Sequence, residues 1–177
     1  MKDPIRRRDD PQASLGRAML IAAWVVGLAL LAFFFKGVIE RQTNPNPAPI
    51  AVAGQGGVAQ VVLRRNRAGH YVAGGHINGE PVVFMLDTGA TDVAVPLALA
   101  RRLGLPLRPG GLSQTANGTV ETWATRHSVE LGGLVARNLR ASVLPAMAGD
   151  EVLLGMSYLK HLELIQRGDT LTLRTHR

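Results

Sequence analysis

The chain has 177 residues, an apolar share of 46% and a net charge of +7 at pH 7, which fits one folded domain with an appended segment. It has no cysteine, so disulfides, thiolate nucleophiles and cysteine-based zinc sites are excluded. Aromatic residues are only 5% of the chain and do not alternate with basic ones, so no nucleic-acid partner is predicted. The five histidines lack the spacing of paired metal ligands, and neither a metal nor another cofactor is predicted.

An apolar segment near the amino terminus is predicted to cross a membrane. Between Arg17 and Lys36 lie 18 uncharged residues, which as a helix extend about 27 Å, close to the hydrocarbon thickness of a bilayer. A secretory signal peptide has a shorter apolar run with a small-x-small cleavage site close behind it. A buried core helix would not stand apart before a polar linker. We therefore expect an uncleaved signal anchor in the lipid bilayer over residues 18–37.

Charges on either side of this anchor predict its orientation. Residues 1–17 form a basic tail that includes Arg6-Arg7-Arg8, and such tails remain in the cytoplasm. Everything after about residue 40 should then be extracytoplasmic, which in a bacterium with two membranes is the periplasmic side of the inner membrane. Residues 38–57 are rich in Pro, Asn and Gly, a composition that predicts a flexible tether.

Short strands and turns dominate residues 58–177 and predict an all-β barrel with one or two short helices. Asn78-Gly79 is typical of a type I′ hairpin turn. A short helix is expected from Pro96 to Gly104, because proline favours the first turn and glycine the end. A second short helix is expected directly after Gly155. The other strands are expected over 58–63, 70–72, 125–131, 134–138, 139–145, 162–166 and 170–173.

An apolar run over residues 82–86 leads directly into Asp87-Thr88-Gly89-Ala90. The run reads as a buried strand, so Asp87 should lie at the edge of the core, a place suited to acid–base chemistry. Asp, Thr and Gly also favour turns. The tripeptide alone is therefore a weak signal, and an ordinary strand-ending turn is the alternative.

Two further features follow Asp87 along the chain. A hairpin centred on Asn117-Gly118 is predicted over residues 113–123, and its small, polar arms suit either a mobile projecting element or an ordinary surface hairpin. Later, the apolar run Val152-Leu153-Leu154 ends at Gly155.

These three features, in this order, resemble the retropepsin-like (clan AA) aspartic proteases, and most of all their single-domain, membrane-anchored bacterial members. The resemblance covers roughly residues 58–174. It implies a retropepsin-like acid-protease barrel with Asp87 as the catalytic carboxylate. The residues implied to support the active-site loop are Thr88, Gly89 and Ala90.

The same resemblance assigns the hairpin to a flap that closes over a bound peptide. The implied flap residues are Ala116, Asn117, Gly118 and Thr119. The implied support of the catalytic turn consists of Leu153, Leu154 and Gly155. Viral members place a paired Asp and Arg at the positions of Thr91 and Met156, so this chain must steady its dimer in another way. Asp92 is expected either to contact the substrate backbone or to begin the following helix.

Peptide hydrolysis by this chemistry requires two carboxylates that share one proton. The ionised member activates a water molecule, and the protonated member supports the carbonyl oxygen. The chain contains a single Asp-Thr-Gly and has no room for a second lobe. We therefore expect a homodimer in which each chain supplies one Asp87 across a two-fold axis, with a peptide or protein as substrate.

Two alternatives belong to other classes of function. The same barrel could be a non-catalytic extracytoplasmic module that holds a peptide in its groove. The basic tail and the membrane helix could also serve a scaffold that recruits partners. A binding module would not require the acid at Asp87, so that residue separates it from an aspartic endopeptidase.

Overall fold

The computed structural model describes residues 11–54, 57–115 and 118–176. The chain divides between Arg41 and Gln42 into two compact units. Two residues of the predicted flap, Ala116 and Asn117, lie outside the described residues.

The first unit contains one long helix, α1, over Pro11–Thr43. Its segment Leu15–Thr43 is long and apolar enough to cross a membrane, and none of its most apolar window is buried by protein. Large apolar side chains such as Trp24 and Phe33 are exposed. A helix that is apolar on all sides needs an apolar environment. This helix therefore has the character of a membrane anchor or a signal sequence.

Strands dominate the second unit, as the sequence predicts. Its two short helices are α2 (Leu97–Arg102) and α3 (Met156–Leu159). Its strands are β1 (Val52–Ala53), β2 (Ala59–Arg64), β3 (Val72–Ile77), β4 (Glu80–Leu86), β5 (Val93–Pro96), β6 (Arg108–Thr115), β7 (Gly118–Leu131), β8 (Leu134–Leu144), β9 (Glu151–Leu154), β10 (Leu162–Arg167) and β11 (Thr170–Thr175).

The strands form two sheets. A four-stranded sheet has the order β1-β2-β11-β10, and a seven-stranded sheet has the order β3-β4-β9-β5-β8-β7-β6. An additional pairing of β3 with β7 closes the larger sheet into a barrel. Inward-facing side chains from both sheets share one apolar core. Among them, Tyr158 places its hydroxyl group in the core and donates a hydrogen bond of 2.9 Å to the Leu134 carbonyl.

The local signals in the sequence identify most of these elements. Asn78 and Gly79 adopt φ values of 52° and 90°, as a type I′ turn requires. Helix α2 ends before Gly104, which has a φ of 62°. Two predicted divisions between strands are wrong. Strand β7 continues unbroken from the second arm of the 113–123 hairpin through residues 125–131. Strand β8 joins the two strands that were expected over residues 134–138 and 139–145. The break expected in β8 lies opposite a register shift between His127 and Val129 of β7, and this shift ends neither strand.

The flexible tether predicted over residues 38–57 is wrong for its central part. Asn46 is buried, and its side-chain amide donates hydrogen bonds to the carbonyls of Arg64 (2.8 Å) and Val72 (2.7 Å). Its side-chain oxygen accepts a bond of 2.7 Å from the Arg64 N–H. One side chain thus joins the end of β2 to the start of β3, which belong to different sheets.

Backbone contacts extend this attachment over residues 44–53, which we call the strap. The Gly74 N–H donates to the Asn46 carbonyl (2.9 Å), and the Ala51 N–H donates to the Gly132 carbonyl (2.6 Å). Strand β1, at the end of the strap, pairs with β2. The composition correctly indicates that the strap has no core of its own. Proline-rich segments are also extended, however, and an extended backbone can pair with an existing sheet.

Candidate active site

Asp87 lies at the end of β4, beside the end of β9. The two strands run parallel, with Leu86 opposite Leu154, and the Asp87 N–H donates to the Leu154 carbonyl at 3.2 Å. Parallel neighbours end at the same edge of a sheet. The loop that contains Asp87 therefore meets the loop after Leu154.

Backbone hydrogen bonds join these two loops. The Met156 N–H donates to the Ala90 carbonyl (2.8 Å), and the Ser157 N–H donates to the Thr91 carbonyl (2.9 Å). The close approach needs Gly155, because a Cβ atom there would lie 2.5 Å from the Ala90 oxygen and closer still to the Asp92 oxygen. A side chain at this position would push the loops apart.

The Asp87 carboxylate is half-buried and oriented by its own loop. Its Oδ1 accepts a hydrogen bond of 2.8 Å from the Gly89 N–H, and this is its only side-chain hydrogen bond within the described residues. Thr88 and Gly89 are exposed, and Ala90 is half-buried. A Cβ at Gly89 would lie 3.2 Å from Oδ1. The carboxylate is thus held at one oxygen and open to a partner at the other.

Asp92 has a structural role that the sequence did not indicate. Its two carboxylate oxygens accept hydrogen bonds from Arg140 Nε at 3.1 and 3.0 Å, and one of them also accepts a bond from the Ser142 hydroxyl (3.2 Å). Helix α2 begins at Leu97, so the alternative in which Asp92 begins that helix is wrong. Contact with a substrate backbone stays a prediction.

Ser157 completes the attachment of this region to β8. Its hydroxyl accepts a bond of 3.0 Å from the Val93 N–H and donates one of 3.1 Å to the Arg140 carbonyl. At the positions of Thr91 and Met156 the chain has no charged side chain, and the ion pair nearby joins Asp92 to Arg140. These two residues are 48 positions apart, so no local pattern could have revealed the pair.

The hairpin of β6 and β7 is where the sequence predicts the flap. Its pairing extends from Thr115 opposite Gly118 back to Arg108 opposite Ala124. Of the predicted flap residues inside the described part, Gly118 and Thr119 are exposed. Near the base of the hairpin is a cavity of about 340 Å³. Its apolar lining includes Pro109, Leu112, Trp123 and Pro145.

A larger cavity of about 700 Å³ lies beside the strap. It is lined by strap residues, by the start of the β3–β4 hairpin and by the Gly132-Gly133 turn, and it includes no residue of the Asp87 loop. Its size alone therefore does not make it the active site. The acid, the two joined loops and the hairpin make the Asp87 region the candidate site instead.

Similarity to known proteins agrees with this geometry. The sequence model of a family described as gag-polyprotein putative aspartyl protease matches residues 73–161. The structure of a retropepsin-like aspartic protease from Rickettsia conorii is 30% identical in sequence, with a TM-score of 0.59, and the match covers 67% of this chain and 92% of that chain. The chain belongs to the retropepsin-like aspartic proteases. The matched family range contains Asp87, the β6–β7 hairpin and Gly155.

Two other proteins are also similar to this retropepsin-like protease. An uncharacterized protein in the cobV 5′ region of a Sinorhizobium species is 32% identical over 170 residues, which is 87% of this chain and 72% of that protein. The EIAV protease, in complex with the inhibitor HBY-793, is 25% identical with a TM-score of 0.47, over 54% of this chain and 89% of that chain. The retropepsin-like barrel expected from the sequence is confirmed.

Proposed function

We propose that this protein is a membrane-anchored aspartic endopeptidase that hydrolyses peptide bonds of extracytoplasmic proteins. The observation that carries the proposal is the Asp87 carboxylate. It is half-buried at the end of β4, with one oxygen held by the Gly89 N–H. It belongs to a retropepsin-like barrel, in a family of aspartic proteases.

The chemistry requires a second carboxylate, and we assign it to a second copy of the chain. Two Asp87 side chains brought together across a two-fold axis share one proton, because like charges at about 3 Å cannot both ionise. The ionised member removes a proton from water, and the protonated member donates a hydrogen bond to the carbonyl oxygen of the substrate. The pair titrates as a unit, and the active enzyme is a homodimer.

The surrounding residues position this acid pair. Thr88, Gly89 and Ala90 shape the loop, and Leu153, Leu154 and Gly155 support it from β9. In the hairpin, residues 116–119 close over the substrate. Asp92 supports the loop from the side through Arg140, and this pair replaces the viral one in steadying the site.

The helix α1 anchors the enzyme. In this proposal residues 1–17 are cytoplasmic, residues 18–37 span the inner membrane, and the protease domain faces the periplasm. Because the strap belongs to the folded unit, only a few residues separate the anchor from the barrel. Two chains held in one membrane also meet at a raised effective concentration, which favours the dimer.

The proposal is tested with full-length protein in lipid nanodiscs. Asp87→Asn removes the ionisable group and keeps the shape, so cleavage of a fluorogenic peptide library at mildly acidic pH should fall by about 10³-fold. The matched control is Asp150→Asn, which alters an exposed carboxylate paired with Arg102 and should keep full activity. Equal cleavage by the Asp87→Asn variant and the wild-type protein would remove the catalytic assignment. Peptide binding without cleavage by the wild-type protein would favour the binding module.

A further inference from the structure

A cavity of about 500 Å³ lies beside the Asp87 loop. Its walls include Thr91 and Asp92 from that loop and Met156 from the loop joined to it. The remaining walls come from β7, β8 and the end of α3. They carry most of its positive charge, through Arg126, Arg137, Arg140 and Lys160, and His161 also lines the cavity. We call this cavity the basic pocket.

Most of the positive charge in the basic pocket has no carboxylate partner. Asp92 is the one acidic residue of its lining, and Arg140 pairs with it. The Arg126 guanidinium donates only to neutral oxygens of Asn138. Across residues 11–54, 57–115 and 118–176, the side chains of Arg137 and Lys160 have no hydrogen bond or ion pair. Such a pocket attracts an anion.

The pocket is shaped by the fold and is not a chance meeting of surface side chains. The β7–β8 register shifts next to it, between His127 and Val129. Opposite this shift, Asn138 adopts a φ of 57°, which is uncommon for a residue other than glycine. The two hydrogen bonds from Arg126 hold Asn138 in place. β-Bulges of this kind redirect side chains and are frequent beside active sites.

We propose that the basic pocket is a substrate subsite, which binds the carboxylate of a glutamate or aspartate in the peptide being cleaved. The inference rests on the proposed function and adds a substrate class to it. The reason is that the pocket is continuous with the loop that holds the acid, since Thr91 of the pocket follows Asp87 by only four positions. Those residues extend at most about 14 Å, so the pocket wall at Thr91 lies within a distance of Asp87 that about four residues of an extended peptide can span.

The carboxylate would form charge-assisted hydrogen bonds with Arg137 and Lys160. Such bonds are stronger than neutral ones, and losing one costs about tenfold in binding. A lipid phosphate has similar anion chemistry. We favour the peptide because the pocket shares its walls with the loop that holds Asp87.

The test uses full-length protein in nanodiscs and pairs of peptides that differ only by Glu or Gln. The substitution is placed at each position within four residues of the scissile bond. We expect the wild-type enzyme to prefer Glu at one position by about tenfold in kcat/KM, mainly through KM. Arg137→Gln and Lys160→Gln should each reduce this ratio. Arg101→Gln, on the exposed side of α2, is the matched control and should keep it.

A charge-reversal variant distinguishes the loss of carboxylate recognition in the pocket from general damage to the structure. Lys160→Glu should lose the preference for Glu and gain one for Lys at the same peptide position. Equal cleavage of Glu and Gln peptides at every position by the wild-type enzyme would overturn the subsite and leave the protease assignment intact. Failure to cleave any peptide would instead remove the proposed function itself.

The lipid alternative has its own measurement. Native mass spectrometry of the nanodisc protein can count bound phosphatidylglycerol in the wild-type protein and in Arg137→Gln. Loss of bound lipid in the variant, together with an unchanged ratio between Glu and Gln peptides, would assign the pocket to a lipid phosphate and overturn the subsite. Unchanged lipid binding with a reduced ratio supports it.

Discussion

The Asp87 loop and the strap are both irregular segments attached to the barrel, but they are attached by different means. The Asp87 loop is held by backbone hydrogen bonds to Leu154, Met156 and Ser157. The strap is held by backbone hydrogen bonds to Gly74 and Gly132 and, in addition, by one side chain, that of Asn46, which bonds three backbone groups.

This difference predicts different sensitivities. The Asp87 loop should tolerate many side-chain changes but not an added atom at Gly155, where two backbones meet. The strap should tolerate changes at its exposed positions but not the loss of the Asn46 side chain. It shares one backbone constraint with the loop, because a Cβ at Gly74 would overlap the Pro47 carbonyl. The attachment of the strap thus depends on one amide as well as on close backbone packing.

The largest effect is expected from Gly155→Ala. The new Cβ would overlap backbone oxygens of the Asp87 loop, and such overpacking costs about 3 kcal/mol. We expect a lower free energy of unfolding, measured by urea denaturation in nanodiscs, and loss of peptide cleavage. Gly37→Ala is the control, because nothing lies within 4 Å of a Cβ there. Normal activity of Gly155→Ala would show that the loops are not tightly joined.

A smaller and more local effect is expected from Asn46→Ala. It leaves the carbonyls of Arg64 and Val72 without their partner, at a cost of about 2 kcal/mol. Hydrogen exchange should become faster at the Gly74 and Ala51 N–H groups, which bond the strap or belong to it. It should stay slow at the Met156 N–H.

The control for this change is Gln42→Ala, at an exposed position just before the strap. It should leave exchange at Gly74 unaltered. Equal acceleration at Gly74 and Met156 in the Asn46→Ala variant would mean that the strap and the Asp87 loop are not independent.

Lowering the pH should destabilise the folded barrel, and with it both segments, because His127 in β7 is buried. His127 is buried, with 3% of its surface exposed, and neither ring nitrogen has a hydrogen-bond partner among the described residues. Burial lowers its pKa from 6.5 to about 4. The folded state therefore binds fewer protons than the unfolded state, and stability is full above about pH 6.5 and falls as the pH drops toward 4.

Between pH 7 and pH 5 the expected loss is about 2 kcal/mol. Urea denaturation at the two pH values measures it, and His127→Leu should flatten the dependence by removing the titrating group. A His127→Leu protein that loses as much stability as the wild-type protein would assign the acid sensitivity to other groups. Exchange at Gly74 and Met156 should accelerate together in acid, in contrast to the Asn46→Ala variant.

Local signals in the sequence were sufficient for the elements around Asp87. Asn78-Gly79 predicts its own turn, because the required positive φ values restrict the residue types. The apolar strand before Asp87 and the apolar strand before Gly155 are likewise readable from their own residues. The closing strands β10 and β11 are visible in the same way, as the strands expected over residues 162–166 and 170–173.

Other features depend on residues far apart in the chain. Asn46 bonds residues 18 and 26 positions away, and its segment has the composition of a free linker. Asp92 finds Arg140 only because β5 and β8 are neighbours. The burial of His127 depends on which face of β7 turns inward after the register shift.

By itself the sequence determined the apolar helix, the all-β character of the rest and the acid loop that marks the family, since each follows from consecutive residues and their backbone preferences. Only the tertiary structure decided that residues 44–53 are docked, that Asp92 pairs with Arg140 and that a basic pocket adjoins the Asp87 loop. These features need strands distant in the chain to become neighbours, and side-chain partners are chosen by that topology.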